Sequence, residues 1–216
     1  MFYLKITFIL FSIVIFPASI YAQTGDEKKI SKEVWNLSMS KLDTDEMIKN
    51  GKKMLEASRN DYDRAKSHGY IGDAQYKKGY YNEAVKQLEK ADYYAEKSDF
   101  KSERFTINIL LSLSYLKTGF ELESNNSWKI ANDIANNNKN INQLITVKEI
   151  KAKNLEFENR YCEAIPYNLQ AAELRERYSP DYTNDIFVMN SYVKLSYDYL
   201  KCNNLAEAKK WVKKSR

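Results

Sequence analysis

The stretch 79–91, which runs from Gly79 through Tyr81, Ala84 and Leu88 to Ala91, constrains the fold of this chain more than any other. Its apolar residues Tyr81, Ala84, Val85, Leu88, Ala91 and Ala95 fall three or four positions apart, which places them on one face of a helix. The segment before it, from about Asp61 to Lys78, ends at Gly79. Glycine suits a helix terminus because it reaches left-handed φ without a Cβ clash. The unit therefore reads as helix, tight turn, helix. Ala84 and Ala91 let the two helices approach closely, and Tyr81 and Leu88 fill the space between them.

The layout recurs at 119–131, 159–171 and 203–215. The second copy carries Gly119, Leu122, Trp128 and Ala131, with Ser124 where the first has Ala84. The third carries Asn159, Tyr161, Ala164, Asn168 and Ala171, and the fourth Asn203, Leu205, Ala208, Val212 and Ser215. The turn-to-turn steps are 40, 40 and 44 residues. The longer last step coincides with Ser179, Pro180 and Asp181, a loop signal. A period of this size predicts an all-α solenoid of antiparallel helix pairs, because one pair cannot bury its apolar face alone. An unrelated antiparallel helical bundle is the alternative.

Upstream, Thr44, Ile48 and Gly51 stand in register with Ala84, Leu88 and Ala91, so 43–58 reads as half a repeat that caps the stack. Repeats are expected at about 61–98, 99–138, 140–178 and 181–216. Segment 101–117 holds Phe105, Ile107, Ile109, Leu110, Leu111 and Leu113 and is apolar on most faces, which places it at the centre of the stack. Asn140 with Gln143 reads as a capping box. The last first-of-pair helix is expected over 181–200. Pro166 is tolerable if it lies in the first turn of its helix. His68, the single histidine, has no Cys or clustered acid near it and is expected at the surface or groove edge, a poor metal site.

These residues resemble the tetratricopeptide repeat family. The resemblance rests on Gly72, Gly79, Tyr81, Glu83, Ala84, Leu88 and Ala91 in the first copy and on Leu195, Tyr199, Leu205, Glu207, Ala208 and Val212 in the last. It covers roughly 43–215. The family's usual step is about 34 residues, so the helices here are longer. The resemblance implies a right-handed superhelix whose first helices line a concave groove, with protein or peptide partners and no cofactor. It puts Lys66, Asp73, Tyr76, Lys77, Lys117, Glu149, Lys153, Glu156, Tyr197 and Lys201 on that groove. The family's carboxylate clamp does not match, since Gly69 and Asp73 occupy the comparable positions.

The start of the chain has the layout of a secretory signal. Lys5 precedes an apolar run over 6–16, Pro17 breaks it, and Ala22 offers a small residue before the cut. Cleavage after Ala22 predicts an exported protein, periplasmic or secreted, with 23–42 as a mobile lead-in whose Val34, Trp35, Leu37 and Leu42 are expected to dock on the first helix. An uncleaved anchor formed by 6–22 is the alternative, although the run is short for a span of about 20 residues. Nothing later is apolar enough to cross a membrane.

The net charge is +5, and removing 1–22, which hold Lys5 and no acid, leaves +4. Lys and Glu alternate, as in Glu83, Lys86, Glu89 and Lys90, which describes a solvated helix face. A nucleic-acid surface calls for clustered Arg, so no nucleic-acid partner is expected. Cys162 opens the second helix of one repeat and Cys202 closes the first helix of the next. In a stack of helix pairs those points share an edge, and an exported chain meets an oxidising compartment. A Cys162–Cys202 disulfide is the expectation, with two free thiols as the alternative. Neither cysteine has redox or zinc spacing.

No Gly-rich phosphate loop and no nucleophile motif occurs, so the chain is not read as an enzyme. The expected function is that of an exported scaffold for a protein or peptide. The alternative is the periplasmic sensor portion of a truncated membrane-linked regulator with a helix-turn-helix domain. The apolar face of the last helix, with Trp211 and Val212, keeps that alternative open.

Overall fold

A computed structural model describes residues 44–98, 100–179 and 185–215. The signal-like start and the lead-in therefore lie outside the described residues. Nine helices and no strand occur among the described residues. They are α1 (Thr44–Glu56), α2 (Asp61–Lys78), α3 (Tyr81–Lys97), α4 (Lys101–Thr118), α5 (Glu121–Asn138), α6 (Ile141–Phe157), α7 (Tyr161–Tyr178), α8 (Ile186–Lys201) and α9 (Leu205–Lys214).

Four of the turns share one device. Gly79 and Gly119 have φ of 85° and 83°, and Asn159 and Asn203 have φ of 59° and 57°. Asparagine tolerates this region better than other side-chain-bearing residues. At the two glycines the backbone N–H then reaches back to the carbonyls of the preceding helix, to Tyr76 and to Leu116. Starts are fixed by side chains: Asn60 caps α2 through Asp63 N, Asp185 caps α8 through Phe187 N, and Asn204 caps α9 through Glu207 N. Asn140 caps α6 through Gln143 N at 3.2 Å, but the box stays half-made. The Gln143 carbonyl accepts from Asn138 Nδ2 at 3.0 Å rather than closing on the cap.

Each helix packs on the next along the chain, and α2 also touches α4, as α4 touches α6. The first-of-pair helices α2, α4 and α6 are thus closer to one another than the second helices are, which puts them on the inner side of the stack. α4 is covered on every side, with Phe105, Ile107, Ile109, Leu110, Leu111, Leu113 and Leu116 all buried. Small residues set the spacing of the pairs: Ala84, Ala91, Ala131, Ala164 and Ala171 are buried at matching places. Gly72 belongs to this set. A Cβ there would stand 2.6 Å from Leu88 Cγ and 2.8 Å from its Cδ2. Gly72→Ala gains about 1 kcal/mol of helix propensity and loses up to about 3 kcal/mol by overpacking. We expect a net loss near 1 kcal/mol in urea unfolding, whereas an alanine at an open helical surface position should stabilise.

Three sequence expectations change. The helix expected over 181–200 is Ile186–Lys201, because Asp185 takes the cap. Pro166 is the sixth residue of α7, past the first turn, so the helix lacks one N–H donor there. His68 is 7% exposed rather than at the surface. Its Nδ1 meets Gln87 Oε1 at 2.7 Å and its ring stacks on Tyr94 at 5.7 Å.

Cys162 and Cys202 are joined by a disulfide, with Cα atoms 5.5 Å apart. The bond ties the start of α7 to the end of α8. No described helix is long and apolar enough to cross a membrane.

Candidate functional site on the inner wall

The inner wall is built from the ends of α4, α6 and α8, and two polar substitutions explain its shape. Both fall where the repeat pattern calls for a small or apolar side chain. The first is Ser124. Its hydroxyl donates to the Ser112 carbonyl at 2.8 Å, and Asn154 Nδ2 donates to Ser112 Oγ and Ser124 Oγ at 3.0 and 3.2 Å. All three residues are buried, so this network joins α4, α5 and α6 with polar contacts that an alanine could not make.

The second is Asn168 on α7. Its Nδ2 donates to Asp198 Oδ2 at 2.6 Å and to Glu156 Oε1 at 2.9 Å. Lys194 Nζ pairs with the same Glu156 oxygen at 3.2 Å. Asp198 is fully buried, and burial, with the Glu156 charge adding to it, pushes its carboxyl up to about 7, against the Asn168 hydrogen bond and Lys194. The wall thus carries a carboxylate network beneath its surface.

Above that network stand ammonium groups. Burial lowers the pKa of Lys153, and the Lys194 and Lys117 charges lower it further, while Glu156 opposes. Lys117 holds its ammonium 4.5 Å from the centre of the Phe157 ring. Lys201 lies 5.3 Å from the Tyr197 ring and 5.8 Å from the Tyr161 ring, and those two rings meet edge to face at 5.9 Å. Lys117, Lys153, Glu156, Tyr197 and Lys201 therefore gather on one stretch of wall across three alternate helices, α4, α6 and α8.

The other sequence-predicted groove residues lie elsewhere or serve the fold. Glu149 accepts from Arg175 at 2.7 Å and fastens α6 to α7. Tyr76 packs against the core on both sides of α4 and against the Tyr81 ring. Asp73 and Lys77 pair with each other at 2.6 Å on α2. Lys66 rests 4.3 Å from the Tyr62 ring in the opening turns of α2. The sequence reading did not pick out Lys194, Phe157 or Asp198. The signal for them was Asn168, a polar residue on the inward stripe of α7, which needs polar neighbours wherever it is buried.

The arrangement presents ammonium groups and aromatic faces side by side. Among the described residues no group of His, Cys, Asp and Glu is placed to hold a metal ion.

No protein-family model matches the sequence, and no curated protein matches it. Solved structures do match in fold. The kinesin-light-chain TPR-like repeats of Podosopora anserina superpose with a TM-score of 0.65 at 15% identity, over 88% of this chain and 89% of that one. MamA superposes with a TM-score of 0.54 at 16% identity, over 91% of this chain and 94% of that one. The fold is a tetratricopeptide-like helical solenoid.

Proposed function

We propose that this chain is an exported scaffold that binds a protein or peptide segment on the inner wall between α4, α6 and α8. The observation that carries the reading is the gathering of Lys117, Lys153, Lys194 and Lys201 around Glu156, on the alternate helices α4, α6 and α8, with Tyr197 and Phe157 beside them. Asp198, pushed up to about 7, adds only part of a negative charge near neutral pH. The wall is therefore locally cationic and favours an extended segment rich in Asp or Glu, held by its backbone and by ring contacts. The reading is one of binding rather than turnover. Export is supported by Lys5, the apolar run over 6–16 and Ala22.

Binding of a short, labelled, Glu-rich peptide tests it. Lys117→Glu with Lys201→Glu should weaken binding at least about tenfold and flatten its salt dependence. Lys66→Glu with Lys77→Glu, which reverses the same charge on α2, should change it little. Equal losses in the two double variants would reduce the effect to overall charge and remove the site.

A further inference from the structure

The outer face of the last pair, α8 and α9, forms an open apolar trough of about 560 Å³. Val193, Tyr197, Leu200, Leu205 and Val212 line it, and their exposures run from 40% at Val212 to 58% at Leu205. The repeat register says what such a face takes. Aligning Asn203 with Gly79 places Val212 on Leu88, Leu200 on Tyr76 and Val193 on Gly69. In the first pair those positions are covered by α4. Leu88 is fully buried in a cluster with Ile107, Leu110 and Leu111, and a Cβ at Gly69 would touch Ile107. The α8–α9 face is thus shaped for one further first-of-pair helix.

Charge narrows the occupant. The trough is rimmed by Lys209 and Lys213 and lined by no acid, and neither lysine makes an ion pair among the described residues. Lys213 stands in register with Glu89, which accepts a 2.6 Å hydrogen bond from Tyr115 of the covering helix. A helix covering α8–α9 must present an acceptor there instead of a hydroxyl donor. A second copy of this face would set lysine against lysine, and the lead-in, with Lys28, Lys29, Lys32 and Lys41 against Asp26, Glu27 and Glu33, nets +1 and brings no excess of acid to meet the two lysines.

We propose that the α8–α9 face docks an amphipathic helix of a protein partner as the first helix of an added repeat. The helix carries an apolar stripe spaced like Ile107, Leu110 and Leu111 and acids along its flank, one of them at the position of Tyr115. This site borders the cationic stretch of the inner wall and shares Tyr197 with it, and its test uses different variants that leave Tyr197 unchanged.

The probe is a labelled peptide copying Lys101–Thr118 with Arg104→Glu, Tyr115→Glu and Lys117→Glu. Its control carries Lys at the same positions. The full-length chain should bind the acidic peptide at least about tenfold more tightly than the basic one. Leu205→Glu with Val212→Glu should lose the acidic peptide, since both residues are exposed and the fold tolerates polar groups there. Lys209→Glu with Lys213→Glu should prefer the basic peptide, a reversal that loss of folding cannot produce. Equal binding of the two peptides, or binding that survives Leu205→Glu with Val212→Glu, overturns the proposal. So does a dimer in solution that those two changes make monomeric, because a second copy then fills the trough. Acidic-peptide binding that appears only after removal of 23–42 overturns it as well, because the lead-in is then the occupant.

Discussion

Replacing both Cys162 and Cys202 by serine should lower the stability of the oxidised protein by about 4 kcal/mol. The bond closes a loop of 40 residues, and the chain-entropy relation gives about 4 kcal/mol for a loop of that length. Packing contributes little to the loss, because Cys162 is exposed and Cys202 only half-buried. Reduced wild type and the double variant should therefore unfold alike in urea. The loss should also be uneven. Stability in a solenoid is close to a sum of repeat and nearest-neighbour contributions, and this bond fastens α7 to α8. Amide exchange should quicken in α8 and α9 and stay unchanged in α2 and α3. The intact mass of the protein from its own cells checks the premise. It should begin at Gln23 and rise by about two hydrogens on reduction. A protein isolated oxidised whose reduction leaves the urea midpoint where it was would sink the prediction, as would a native mass that reduction does not change.

The repeat was legible in the sequence because its signals are local. Gly79, Gly119, Asn159 and Asn203 each mark a left-handed residue, and the alanines at matching steps mark close helix approach. Local signals of that kind survive without knowledge of what packs on what. The inner wall was half legible for the converse reason. Register alone places Lys117, Lys153, Glu156, Tyr197 and Lys201 on one side. It does not say that Tyr76, at the same register, turns into the core, or that Glu149 is taken by Arg175. Those outcomes depend on residues of neighbouring helices, 26 positions away for Glu149 and Arg175 and in the core around α4 for Tyr76. His68 was misplaced on the same ground: a lone polar residue reads as surface until Gln87 and Tyr94 are known to meet it. Ser124 and Asn168, which break the repeat pattern, turned out to mark the buried networks. A departure from a repeat is informative where it falls on the buried stripe of its helix, as Ser124 and Asn168 do.

Asp198→Asn should raise stability at pH 8 by about 2 kcal/mol and leave it nearly unchanged at pH 4. The ordinary carboxyl value for this residue is 3.8, and burial, with Glu156 beside it, lifts the folded value to about 7. Between those values the folded chain keeps a proton that the unfolded chain has released, so stability falls as pH rises. The contribution is fully present below about pH 4 and is lost as pH passes through 7. A shift of about three units at about 1.4 kcal/mol each sets an upper figure near 4 kcal/mol, and screening reduces it by about half. An asparagine can still accept from Asn168 Nδ2, and it has no charge to set against Glu156. Acid-side losses from Glu163 and Asp185, whose carboxyls are held low by hydrogen bonds from Arg160 and from Ser179, are common to both proteins and cancel in the difference. The quantity to measure is therefore variant minus wild type in urea at each pH from 4 to 8. It should rise through the interval and level above 7. A difference that stays flat would mean that Asp198 ionises in the folded chain as it does in water, and the carboxylate beneath the inner wall would then carry its full charge at neutral pH.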